Sequence, residues 1–172
     1  MRIVLWVLLG IAGLLILVTV IGWLLPRDHV ATRIGRYRQP PEAIWTAITD
    51  VDAMPAWREG LKSVKHLLDR NGLPAHVEVT SSGTLPYETV EMTPPQKLVT
   101  RIADPKLPFG GTWTFEISPV ADGATLRITE RGYVTNPFFR FMSRTVFSPT
   151  STMETYLKSL ARKFGEEPRI GE

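Results

Sequence analysis

The sequence contains no cysteine, which excludes disulfides, thiolate metal sites and cysteine nucleophiles. Histidine is almost as scarce. His29, His66 and His76 are the only three, and none has the i, i+4 spacing of a helical metal-binding pair. Serines occur without a Gly-x-Ser-x-Gly elbow, "GLPAHVEV" is not a phosphate loop, and Gly110-Gly111 reads as strand punctuation. A block of positive charge is missing too. The net charge is +3, and the Lys and Arg residues are scattered, without the aromatic-interleaved stripe of a nucleic-acid surface. There is no internal repeat and no low-complexity segment. Nothing in these residues calls for a metal, a cofactor or a nucleic-acid partner.

What the sequence does have is one long apolar run. "IVLWVLLGIAGLLILVTVIGWLL", Ile3 to Leu25, extends for 23 residues without a charge. At about 1.5 Å per residue it reaches roughly 34 Å, enough to cross a hydrocarbon core of about 30 Å. Trp6 and Trp23 stand near its ends, where indole rings favour the membrane interface. A signal peptide has a shorter apolar region, about 7–15 residues, followed by a small-residue cleavage motif. Here the run ends in Pro26-Arg27-Asp28-His29 instead. The expectation is an uncleaved single-pass membrane anchor over residues 1–26. Arg27, Arg33, Arg36 and Arg38 follow it closely, against Arg2 before it, which leans toward a cytoplasmic soluble domain.

The remaining roughly 145 residues suit one domain with one core. "HVATRIGRY" alternates as a first strand. Pro40 and Pro41 then open a helix with Glu42 in its first turn and an apolar stripe at Ala43, Ile44, Ala47 and Ile48. "MPAW" reads as a second, very short helical turn. Six strands joined by turns follow, the first hairpin marked by Asn71-Gly72. In "LPAHVEVTS" the alternation puts Leu73, Ala75, Val77 and Val79 on one face and His76, Glu78 and Thr80 on the polar face. Trp113, Phe115 and Ile117 face inward, as do Leu126 and Ile128. Asn136-Pro137 signals an N-cap and first helical residue, and Pro149 must break or kink the helix they start. A capping box at Ser151 and Glu154 restarts it. Met153, Tyr156, Leu157, Leu160, Ala161 and Phe164 then form a continuous apolar face. An antiparallel meander with one wet face needs a cover, and this terminal helix has the matching stripe.

"PPEAIWTAITDVDAMPAW", "GGTWTFEI", "ATLRITERG" and "NPFFRFM", in this order along the chain, resemble the START-related superfamily of polyketide cyclases/dehydrases and lipid-binding proteins (SRPBCC). The most specific element is Pro-Pro-Glu-x-x-Trp-x-x-x-x-Asp followed by Pro-x-Trp. The resemblance covers roughly residues 29–165 and implies an α+β helix-grip fold, a curved antiparallel sheet wrapped around a long C-terminal helix, here preceded by one transmembrane helix. It divides the chain into the anchor at 1–26, a helix-grip domain at 27–166 and a flexible tail at 167–172. It also implies a pocket for a hydrophobic ligand, without implying a reaction.

Tyr87, Trp113, Phe115, Glu130, Phe138, Met142 and Tyr156 are the candidate ligand-binding residues. Glu130 and His66 are the candidates for acid–base chemistry. Strict alternation from Ile128 aims Glu130 at the cavity, unless an arginine pairs it or a bulge at Gly132 turns it out. His66 alternates with Val64 and Leu68, which allows an inward orientation, but nothing supplies an orienting partner. Three functions follow: a membrane-anchored carrier of a hydrophobic small molecule or lipid, a cyclase/dehydratase-type enzyme in the same cavity, or a membrane-associated interaction module. The few polar candidates favour the carrier. Phe138, Phe139 and Phe147, with Arg140 and Arg144 one helical turn apart, are expected to frame a pocket mouth facing the bilayer.

Overall fold

A computed structural model describes residues 2–145 and 150–172. It begins with α1 (Arg2–Leu24), followed by β1 (Asp28–Tyr37), α2 (Pro41–Thr49) and a 3-10 turn at Met54–Ala56. The meander is β2 (Leu61–Arg70), β3 (Leu73–Thr80), β4 (Thr84–Thr93), β5 (Lys97–Ile102), β6 (Phe109–Val120) and β7 (Gly123–Val134). Then come α3 (Pro137–Thr145), α4 (Ser151–Lys163) and β8 (Arg169–Gly171). All pairings are antiparallel, in the order β2-β3-β4-β5-β6-β7-β1-β8. This is the helix-grip arrangement: one curved sheet of eight strands with α4 across its inner face.

Local chemistry explains the helix boundaries. Pro41 at the start of α2 loses no intrahelical bond, and Ile44, Ala47 and Ile48 are the residues it buries. Asn136 Oδ1 accepts from the Phe139 amide at 3.2 Å, capping α3 as the sequence suggests. The start of α4 falls one residue before the expected box. Thr150 holds the cap position, and its hydroxyl donates to Glu154 Oε1 at 3.0 Å. Glu154 also accepts from Arg33 Nε at 3.0 Å, so the cap ties α4 to β1. Pro149, the expected breaker, lies with Phe147 outside the described residues.

The core lies between α4, α2 and the strands β6, β7 and β1. Ile44, Leu126, Ile128, Met153, Leu157 and Leu160 are completely buried there. Fully burying such a side chain contributes about 1.5–3 kcal/mol. Residues 169–171, expected in a loose tail, instead add an edge strand to β1.

α1 stands apart from this core. It is long and apolar enough to cross a membrane, and Gly22 is its only buried residue. Gly22 lies so close to α3 that a Cβ there would collide with the Pro137 carbonyl. Arg140, expected at a membrane interface, is instead buried. Its guanidinium donates to the carbonyls of Val134 and Thr135 at 3.0 Å each, and to those of Gly22 at 3.2 Å and Leu25 at 3.0 Å. It thus satisfies carbonyls that the end of α1 leaves without helical partners, and its charge suits the negative end of the helix dipole. Arg144 adds bonds to the carbonyls of Pro26 at 3.3 Å and Asp28 at 3.0 Å.

Candidate ligand-binding cavity

On the other side of α4, toward β2–β5, the space between sheet and helix is not filled. A cavity of about 460 Å³ opens there, walled by α2 and the turn after it, the inner faces of β2–β7, and Thr152 and Tyr156 of α4. Antiparallel register explains which side chains meet in it, because directly paired residues point to the same face. His66, His76, Tyr87 and Ile102 form one continuous row across β2–β5. Thr89, Thr100, Trp113 and Glu130 form the next. All eight line the cavity.

One wall is aromatic. The Tyr156 ring packs on Trp57, Phe115 and Trp113, with centroids 5.4, 5.6 and 6.1 Å away. Arg58 lies over the same ring, 5.0 Å from its centroid, a cation–π contact. The Tyr156 hydroxyl and Trp57 Nε1 are buried without a hydrogen-bond partner among the described residues.

Next to this aromatic cluster the lining carries charge. Glu78 pairs with Arg58 and lies 3.6 Å from His76 Nε2, and His76 stacks on Tyr87 at 5.7 Å. Burial alone would raise the Glu78 carboxyl. The hydrogen bonds from His76 and Arg58 and the Arg58 charge outweigh it and hold the group below the ordinary carboxylate range. Burial likewise acts to lower Arg58, but the Glu78 charge reverses this and leaves it raised. Tyr87 is pushed up to about 12, first by burial and then by the Glu78 charge, so its phenol stays protonated.

Of the residues singled out from sequence, Tyr87, Trp113, Phe115, Glu130 and Tyr156 line the cavity. Phe138 and Met142 belong to α3, which packs on α1, and are not among the lining residues. Among the described residues, Glu130 is not paired with an arginine. Its Oε1 lies 3.3 Å from His29 Nε2, and Gly132 leaves room for that ring, since a Cβ there would meet it. His66 reaches the cavity only from the rim. Its side chain is 62% exposed, with Nε2 2.9 Å from an Asp52 oxygen, and its neighbour Leu68 points fully into solvent. The face of β3 read as polar and outward is turned inward: His76 and Glu78 are buried. The charge that allows this, Arg58, comes from a loop twenty residues upstream of Glu78. Alternation alone gave no sign of it.

The family model described as "Polyketide cyclase / dehydrase and lipid transport" matches residues 38–165. The chain belongs to this family. Among solved structures, the polyketide cyclase/dehydrase and lipid transport domain is similar to a START superfamily protein from Mycobacterium smegmatis. That likeness has a TM-score of 0.61 at 17% identity, covering 80% of this chain and 97% of that one. It is also similar to StfQ, a di-domain ARO/CYC from the steffimycin biosynthetic pathway, with TM-score 0.60, 16% identity and coverage of 81% and 53%. A protein from Rhodobacter sphaeroides gives 0.57 at 18% identity, covering 80% and 97%. At these identities the likeness is one of fold. No curated protein matches the chain.

Proposed function

We propose that this member of the family is a membrane-anchored binding protein for a hydrophobic small molecule or lipid. The observation that carries this is the cavity of about 460 Å³ between α4 and the sheet, within the range of small-molecule sites. An interaction module would be expected to fill that space with side chains. α1 supplies the anchor, with its apolar residues Ile3–Leu24 exposed along nearly their whole length, as a lipid environment requires. Native mass spectrometry of the purified chain tests the binding reading. A co-purified apolar ligand is expected, and an empty cavity under several expression conditions would count against it.

The entrance we propose faces the bilayer at Phe109 and Gly110 rather than at α3. The Val134 amide donates to the Arg27 carbonyl at 3.0 Å, just past α1, and Val134 pairs with Phe109 on the adjacent strand. The anchor's end is therefore about two strand spacings, roughly 10 Å, from a residue that lines the cavity. Phe109 itself is 38% exposed. Fluorescent lipid should move from anionic liposomes to the protein more slowly in Phe109→Ser than in the wild type. Equal rates would remove this route.

A cyclase/dehydratase-type enzyme is the second reading, favoured by one observation: Glu130 lines the cavity with His29 beside it. Glu130 would be its acid–base group, since His66 lies at the rim beside Asp52. Such an enzyme should return a chemically altered ligand in the same mass spectra, and Glu130→Gln should abolish the alteration without abolishing binding.

A further inference from the structure

The polar groups in the cavity are unevenly matched. Arg58 is the only guanidinium among the described lining residues and Glu78 already neutralises it, while Glu130 and Asp69 add two further carboxylates. Among the described lining residues there is no lysine and no second arginine to compensate a ligand's negative charge. The two lining histidines, His66 and His76, each lie beside a carboxylate, that of Asp52 and that of Glu78 respectively. Hydrogen-bond donors, by contrast, are in surplus. The Tyr156 hydroxyl has no partner among the described residues. The Arg58 guanidinium, above its ring, makes one hydrogen bond among them, from Nη1 to Glu78. Tyr87 adds a second phenol to the lining.

Both phenols are raised, first by burial. For each, the Glu78 charge adds to the shift and the Arg58 charge opposes it. Each therefore remains a donor at neutral pH. The same environment that resists a phenolate resists a carboxylate placed beside it. A buried hydroxyl without a partner costs about 1–3 kcal/mol, and a ligand oxygen accepting from it would recover that cost.

We infer that Tyr156 and Arg58, with Tyr87 also lining the cavity, seat an uncharged oxygen of an otherwise apolar ligand, and that the cavity discriminates against carboxylates. The class is long-chain alcohols, ketones and esters, as opposed to fatty acids or cationic amphiphiles. This inference rests on the reading that the cavity takes an apolar ligand.

The test uses the full chain in nanodiscs of neutral lipid, with an apolar fluorescent dye as reporter and empty discs as the blank. The competitors share one chain length: an alkane, a primary alcohol, a methyl ketone, a fatty acid and an amine. The alcohol or ketone should displace the dye at a concentration roughly tenfold below that of the acid or the amine, the factor expected for one hydrogen bond to a charged or buried group. In Tyr156→Phe its advantage over the alkane should shrink several-fold, with dye binding retained. In Glu78→Gln, which leaves Arg58 without its counter-charge, the acid should gain relative to the alcohol. Equal or tighter binding of the acid or the amine by the wild type would overturn the inference, as would an unchanged alcohol advantage in Tyr156→Phe. Failure of the dye and of every competitor to bind would instead overturn the binding reading beneath it.

Discussion

The two sides of α4 face the same sheet and are built differently. Toward β6, β7 and β1, the space is filled by Ile44, Leu126, Ile128, Leu157 and Leu160, completely buried and apolar. Toward β2–β5, the space is left open, and the walls carry an ion pair, two phenols, four threonines and a stacked histidine. Packing on one side stabilises the fold strongly enough to leave the other side hollow. A cavity lined by unsatisfied groups is a liability to stability, so its persistence beside a dense core assigns the two halves different tasks.

The largest expected effect lies on the packed side. Leu160→Ala should lower unfolding free energy by about 2–5 kcal/mol, measured by denaturant titration, and a loss below about 1 kcal/mol would mean that this half is looser than its burial implies. On the hollow side, Glu78→Gln should cost about 1–3 kcal/mol at neutral pH. The sign of its pH dependence follows from the lowered folded-state pKa. Below the ordinary glutamate value of about 4.5, wild-type stability should fall as the carboxylate is protonated, while above it the contribution is complete. The difference between wild type and Glu78→Gln should therefore vanish in acid, and a difference that persists there would point to lost packing instead.

Deleting residues 1–26 should have a smaller effect, about 1 kcal/mol, because it removes acceptors of Arg140 but no core side chain. Hydrogen exchange should quicken in α3 while α4 stays protected. Loss of protection in α4 would show that α1 supports the core after all. Leu68→Ser, on a side chain 91% exposed on the strand that also carries His66, should change stability by no more than about 0.5 kcal/mol.

Much of the packed side was legible from sequence because its signals are local. Alternation through Trp113–Ile117 and Leu126–Ile128, the proline start of α2 and the face of α4 each depend on neighbours a few positions apart. The hollow side was half legible. Trp113, Phe115 and Glu130 could be placed by alternation and Tyr156 by helical spacing, while Tyr87 stands only as one of a set of candidate ligand-binding residues. His76 and Glu78 could not, since a polar face reads as outward until a remote cation is known to meet it. Arg140 was missed for a related reason. Its acceptors are backbone carbonyls, and carbonyls leave no trace in residue type.

Only Leu25, Pro26 and Arg27 separate α1 from β1. Each has its carbonyl bound, to Arg140, to Arg144 and to the Val134 amide respectively. Even fully extended, three residues reach about 10 Å. With α1 in a bilayer, the cavity is therefore moored at the membrane surface in one attitude. It can drift within the plane of that membrane but cannot swing across an aqueous gap to a second one. On the proposed binding reading, a ligand leaving it would be collected at the surface, by the same bilayer or by a recipient that comes to meet it.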